Sequence, residues 1–224
     1  MRDNSQGQRG RGPTLAEASE SAAYERASER SASSRRAVLG TAATVGALST
    51  VPVVGRLLGL GSANAAPSKA QDSQILRLVM QLEFAQVAFY EQALREGGLK
   101  GDLREFAQTS LGHEREHLAA IRGALGAKTV PKPSMEFGAK TKSANAFIAA
   151  ATELEDLAVA GYNGQATNLT KHTLAAAAEI VSVEARHAAW VRAIAGEVAA
   201  PDPVDKPITA QEFAQGLRQF GVRS

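Results

Sequence analysis

The chain has 224 residues, 44% of them hydrophobic, 21% charged and 5% aromatic, and it contains no cysteine. The lack of cysteine excludes disulfide scaffolds, thiol nucleophiles, thiolate zinc and iron–sulfur clusters. The ordinary charge and apolar content exclude a wholly disordered or multi-span membrane chain.

The formal net charge of +2 is unevenly placed, with 8 Lys+Arg against 5 Asp+Glu in residues 1–65 and 17 against 18 in residues 66–224. No basic stripe with interleaved aromatics occurs in the second part, so nucleic acid is not an expected partner. Residues 1–34 are polar and rich in Ser, Arg and Gly, and cannot bury a core. Arg35 and Arg36 then abut an uncharged, mildly apolar stretch from Ala37 to Gly55, and Ala63-Asn64-Ala65 supplies a small-x-small exit. That order reads as an export signal, and the arginine pair resembles the twin-arginine class. The expected partner of residues 1–65 is therefore the twin-arginine export machinery, which carries folded proteins. The expected destination is the periplasm, cell envelope or exterior. The alternative for this segment is an uncleaved membrane anchor.

Residues 66–198 change character. Gln71–Glu96 lacks Pro and Gly and spaces Ile75, Leu78, Val79, Leu82, Val87 and Leu94 as a helix does. Gly97-Gly98 ends it. Asp102 is the expected N-cap of a second helix running to about Leu125. Residues 126–141, with two Pro, two Gly and three Lys, read as a long connection. A third helix is expected from about Ser143 to Leu169, and a fourth from Thr170 or Lys171 to Val198. Residues 199–224 form a Pro-containing extension in which Thr209–Phe220 is compatible with a short helix. No segment alternates convincingly as a strand, so the expected fold class is all-α.

Short connections after the first and third helices make each pair an antiparallel hairpin. A linker of about 16 residues spans about 50 Å when extended, more than the roughly 36 Å of a 24-residue helix. The middle connection is thus long enough to cross back over the bundle and leave helices two and three parallel.

The hairpins repeat one another. Leu82-Glu83, Val87-Ala88 and Tyr90 return as Leu154-Glu155, Val159-Ala160 and Tyr162, and Glu114-x-x-His117 returns as Glu184-x-x-His187. Residues three apart share a helical face, so Glu114 with His117, and Glu184 with His187, suit one metal each. Glu83 and Glu155 stand alone among apolar neighbours. Four carboxylates facing a packed seam are expensive without positive compensation. Oxygen and imidazole donors suit iron or manganese, and four Glu neutralise two divalent ions.

The set Glu83, Glu114, His117, Glu155, Glu184 and His187 resembles the ferritin-like di-metal carboxylate bundle, over about residues 72–198. The text around LEFAQVAFYEQAL and FGAKTKSANAFIAAATELEDLAVAGYNG is similar to exported bacterial ferritin-like domain proteins, some of them tied to desiccation or stress. The resemblance implies a four-helix bundle of two hairpins with a long crossover. It implies two metal ions, iron foremost with manganese or a mixed pair as alternatives, bridged by Glu114 and Glu184. Glu83 and His117 would complete one ion, and Glu155 and His187 the other. Tyr90 and Tyr162 match tyrosines that hydrogen-bond a carboxylate across the bundle and orient it.

The implied chemistry is redox work on Fe²⁺, O₂ or peroxide, of ferroxidase, peroxidase or catalase type, with Fe²⁺ or a small oxidant as partner; a homodimer is compatible with it. The alternative is a non-enzymatic metal-binding or stress-protective bundle. Rubrerythrin-like peroxidases carry a further Glu where this chain has Ala158, whose counterpart on the first helix is Gln86. The four-Glu, two-His set is closer to bacterioferritin and is also compatible with manganese catalase. His113 is expected at a bundle end or the surface, His172 in solvent, and Trp190 in core packing.

Overall fold

The computed structural model describes residues 66–223. The arginine pair and the Ala63-Asn64-Ala65 motif, and with them the export expectation, lie outside the described residues. Five α-helices follow in order: α1 Lys69–Glu96, α2 Gly101–Leu125, α3 Ala144–Gln165, α4 Lys171–Ile194 and α5 Ala210–Phe220. The fold is all-α, as expected; the described strands are β1 Ser134–Met135 and β2 Val222–Arg223, one short antiparallel pair. None of the described helices is long and apolar enough to cross a membrane.

Local chemistry sets the helix limits. Ser68 caps α1 by accepting from the Gln71 amide, and Ser143 caps α3 by accepting from Ala146, as short hydroxyl side chains do. Asp102, the expected cap of α2, sits one residue inside that helix, where a carboxylate complements the helix dipole without capping it. The fourth helix stops at Ile194, short of Val198, because Gly196 turns to a φ of 74°. The third helix ends at Gln165 and passes into a 3-10 turn over Ala166–Asn168.

The start of α4 is fixed from another helix. Thr170 makes no side-chain capping bond; its amide and the hydroxyls of Thr170 and Thr173 are instead held by Asp72, near the start of α1. The Asp72 carboxylate accepts from the Thr170 amide at 2.8 Å and from the Thr173 hydroxyl at 2.7 Å. Burial raises its pKa, but the Thr170 and Thr173 hydrogen bonds outweigh that and hold the net value below the usual one. The contact also shows that α1 and α4 start at the same end. Tyr90 reaches Glu155 while Tyr162 reaches Glu83, so α1 and α3 run in opposite directions. The crossover therefore returns the chain along the bundle.

One core joins the pieces. Phe89 meets the rings of Phe137, Phe147 and Phe220 at centroid separations of 5.3–5.6 Å. Phe213, Leu217 and Phe220 of α5 are all but fully buried. The extension is part of this core: α5 lies against α1 and α3. Small residues on α3 make room for it. A Cβ on Gly164 would stand 1.7 Å from the Ile208 carbonyl oxygen, and one on Gly161 would stand 2.7 Å from the Phe213 ring. Glycine is required at both by close approach.

Candidate metal centre

All six residues singled out by the repeat lie in one buried cluster between the four long helices. Glu83, Glu114, Glu155 and Glu184 have no solvent exposure, and His117 and His187 are buried. Each helix delivers its donors for the reason given by spacing: α2 and α4 present Glu and His one turn apart, and α1 and α3 each present a single Glu. The donors fall into two groups, Glu83, Glu114, His117 and Glu184, and Glu114, Glu155, Glu184 and His187. Within each group the donor atoms lie within 4.8 Å of one another.

Glu114 and Glu184 belong to both groups and divide their oxygens between them. Nδ1 of His117 is 2.8 Å from Glu114 Oε2 and 3.0 Å from Glu184 Oε1. Nδ1 of His187 is 3.0 Å from Glu114 Oε1 and 3.9 Å from Glu184 Oε2. The unshared carboxylates lie farther off, Glu83 Oε2 at 3.6 Å from His117 and Glu155 Oε2 at 3.6 Å from His187.

The far oxygens of the unshared carboxylates are held across the bundle. The Tyr162 hydroxyl donates to Glu83 Oε1 at 2.6 Å, and the Tyr90 hydroxyl donates to Glu155 Oε1. Burial, reinforced by the nearby carboxylates, keeps both phenols well above their usual pKa, so they remain donors.

Two further polar residues enter the cluster. Gln86 donates its amide to Glu155 Oε2 at 3.2 Å and to Glu184 Oε2 at 2.9 Å, and is itself fully buried. His113 is exposed at the surface, as expected, and also touches the cluster, its Nδ1 lying 2.9 Å from Nε2 of His187. Gln86 was legible as the third residue after Glu83 on one face, and His113 as the residue one turn before His117. Neither has a counterpart in the other hairpin, so the repeat did not mark them. Trp190 packs edge-on against Phe106, and His172 is exposed, as expected.

Electrostatics bind the cluster to a cation. Burial drives Glu83 up to about 8, offset only partly by its contact with His117, and drives Glu184 up to about 7. Burial opposes the imidazolium, but the surrounding carboxylates prevail and push His117 up to about 12 and His187 up to about 10. Without a metal, Glu83, Glu184, His117 and His187 hold protons at pH values where free side chains release them.

The donor set also fits metal ions directly. Glu83 Oε2, Glu114 Oε1, Glu184 Oε1 and His187 Nδ1 are buried without a well-directed hydrogen bond, and meet their neighbours through ion-pair contacts of 3.0–3.6 Å. The His187 Nδ1 and Glu114 Oε1 atoms stand 3.0 Å apart. Two donors each about 2.1 Å from one ion, at a right angle, are separated by about 3.0 Å. Donor atoms gathered within 4.8 Å of one another are compatible with shared coordination.

A family model described as a ferritin-like domain matches residues 71–197. No curated protein matches the chain.

Proposed function

The chain belongs to the ferritin-like domain family, and we propose that it is a two-metal redox protein acting on Fe²⁺, O₂ or peroxide. The observation that carries this reading is the division of the Glu114 and Glu184 oxygens between the two donor groups. Glu83 and His117 would complete one position, Glu155 and His187 the other, and four carboxylates would neutralise two divalent ions. Iron fits the oxygen-and-imidazole donors best, with manganese or a mixed pair as the alternatives. Bound there, the ions would supply one-electron chemistry and an open face for an oxidant.

The chain's own residues provide the surroundings for that chemistry. The phenols of Tyr90 and Tyr162 hold Glu155 and Glu83 by one oxygen and aim the other inward. Gln86 ties Glu155 of α3 to Glu184 of α4. Burial excludes bulk water and strengthens each of these contacts. An apolar cavity of about 100 Å³, lined by Leu76, Ile121, Tyr162, Thr173, Ala177 and Ile180, abuts the Tyr162 ring. Its size and lining suit entry of O₂ or peroxide. The arginine pair supports export of the folded, loaded protein by the twin-arginine route, which replacement of Arg35 and Arg36 by lysine would block.

The test begins with metal-free protein. Fe²⁺ is added in air while ferric absorbance is followed, and hydrogen peroxide consumption is measured on the iron- and manganese-loaded forms. Faster iron oxidation than in buffer, or peroxide turnover, supports the proposal when Glu114→Ala abolishes it. A protein that binds two ions yet turns over neither substrate overturns the redox reading and leaves a structural metal site.

A further inference from the structure

The two halves of the centre are not equivalent, and the residues that break the symmetry sit on one side. Gln86 contacts Glu155 Oε2 and Glu184 Oε2, both in the His187 group. Its repeat counterpart is Ala158, which has no polar group to offer. His113 contacts His187. The 70-residue shift that relates the two Glu-x-x-His pairs places Val183 at the position corresponding to His113. Among the described residues no side chain makes the matching bond to Nε2 of His117.

The two imidazoles meet edge to edge. Their planes differ by only 9°, their centroids are 5.2 Å apart, and the joining nitrogens are 2.9 Å apart. Faces in contact would bring the centroids of parallel rings much closer. The observed separation is about one hydrogen bond plus two ring radii, which describes a bond in the common plane.

A neutral imidazole donates from one nitrogen and accepts at the other. When His113 accepts at Nδ1, the His187 proton is confined to Nε2. Its Nδ1 lone pair then faces Glu114, 3.0 Å away. His113 so selects the His187 tautomer able to bind a cation at Nδ1 and restrains the ring's rotation.

We propose that His113 is a positioning residue that holds the His187 imidazole toward the carboxylates and makes the Glu114, Glu155, Glu184 and His187 position the tighter of the two, and hence the first to fill. This rests on the two-metal reading above. Partners of this kind change metal affinity by about 10–100-fold, and among the described residues His117 has no such partner.

The experiment is an anaerobic titration of the metal-free full-length chain with Co²⁺, followed by calorimetry and visible absorption. The wild type should bind two ions in two steps about 10–100-fold apart. His187→Ala should remove the tighter step and His117→Ala the weaker. His113→Phe, which keeps a ring and loses the acceptor, should weaken the tighter step by about 10–100-fold while two ions still bind. His113→Asn, whose Oδ1 restores the acceptor, should bring the tighter step back.

Two equal steps in the wild type overturn this inference and leave the two-metal reading standing. An unchanged tighter step in His113→Phe, or equal weakening by Phe and Asn, overturns it as well. A wild type that binds no cobalt overturns both readings.

Discussion

Gln86→Glu is nearly isosteric, so its effect isolates charge. Wild-type Gln86 gives two hydrogen bonds to carboxylate oxygens, at 2.9 and 3.2 Å, from a position with no solvent exposure. Bonds to charged groups contribute about 1.5–3 kcal/mol each. An ionised Glu at this site would bring two further carboxylate oxygens to within those distances of its own. The chain therefore meets the change by taking up a proton. A protonated Glu keeps one donor and loses the other, which costs about 1.5–3 kcal/mol. Holding the proton costs a further ~1.4 kcal/mol for each pH unit above the unfolded value of about 4.3. At pH 5.5 that adds roughly 1.6 kcal/mol and at pH 7.5 roughly 4.4 kcal/mol.

Urea denaturation of metal-free wild type and variant at the two pH values measures the difference. The account requires a destabilisation that grows by roughly 3 kcal/mol between them. Iron or manganese should reduce it, since the added carboxylate then faces a cation. A penalty independent of pH, or one that metal enlarges, would refute this description of the cluster.

Other expectations follow from the same geometry. Metal-free protein should lose stability from pH 6 to pH 9 in thermal melts. Glu83 and Glu184 are raised above their usual 4.5, and His117 and His187 above their usual 6.5, so the folded chain holds more protons than the unfolded one and gives up stability as pH rises. Bound metal replaces those protons and should flatten the slope; a melting temperature that rises over this range without metal contradicts the assignment. Tyr162→Phe removes the 2.6 Å donor to Glu83 and should weaken metal binding about 10–100-fold, measured by competition with a chelating dye. Gly164→Ala puts a Cβ 1.7 Å from Ile208 O and should cost about 1–3 kcal/mol in urea melts, with faster proteolysis near Ile208 as α5 loosens.

The helices and the six clustered donors were legible because both rest on short-range periodicity. Apolar spacing marked α1, capping and turn residues bounded the helices after it, and Glu and His three residues apart, repeated in both hairpins, marked the cluster. What escaped depends on contacts between distant segments. Asp72 of α1 holds Thr170 and Thr173 at the start of α4, and no local rule pairs them. The strands β1 and β2 have two residues each, too few for alternation to register, and they pair only because α5 returns the chain to the crossover. Gly161 and Gly164 read as blemishes in a helical pattern until Phe213 and Ile208 are seen against them. Gln86 and His113 break the internal symmetry, so a search guided by the repeat passes over them.

Anomalous diffraction from crystals of the iron- or manganese-loaded protein tests the central claim most directly. Two peaks per chain are expected, both flanked by Glu114 and Glu184, one beside Glu83 and His117 and the other beside Glu155 and His187. Loaded protein whose metal lies elsewhere, with these six side chains bonded only to one another, would contradict the account.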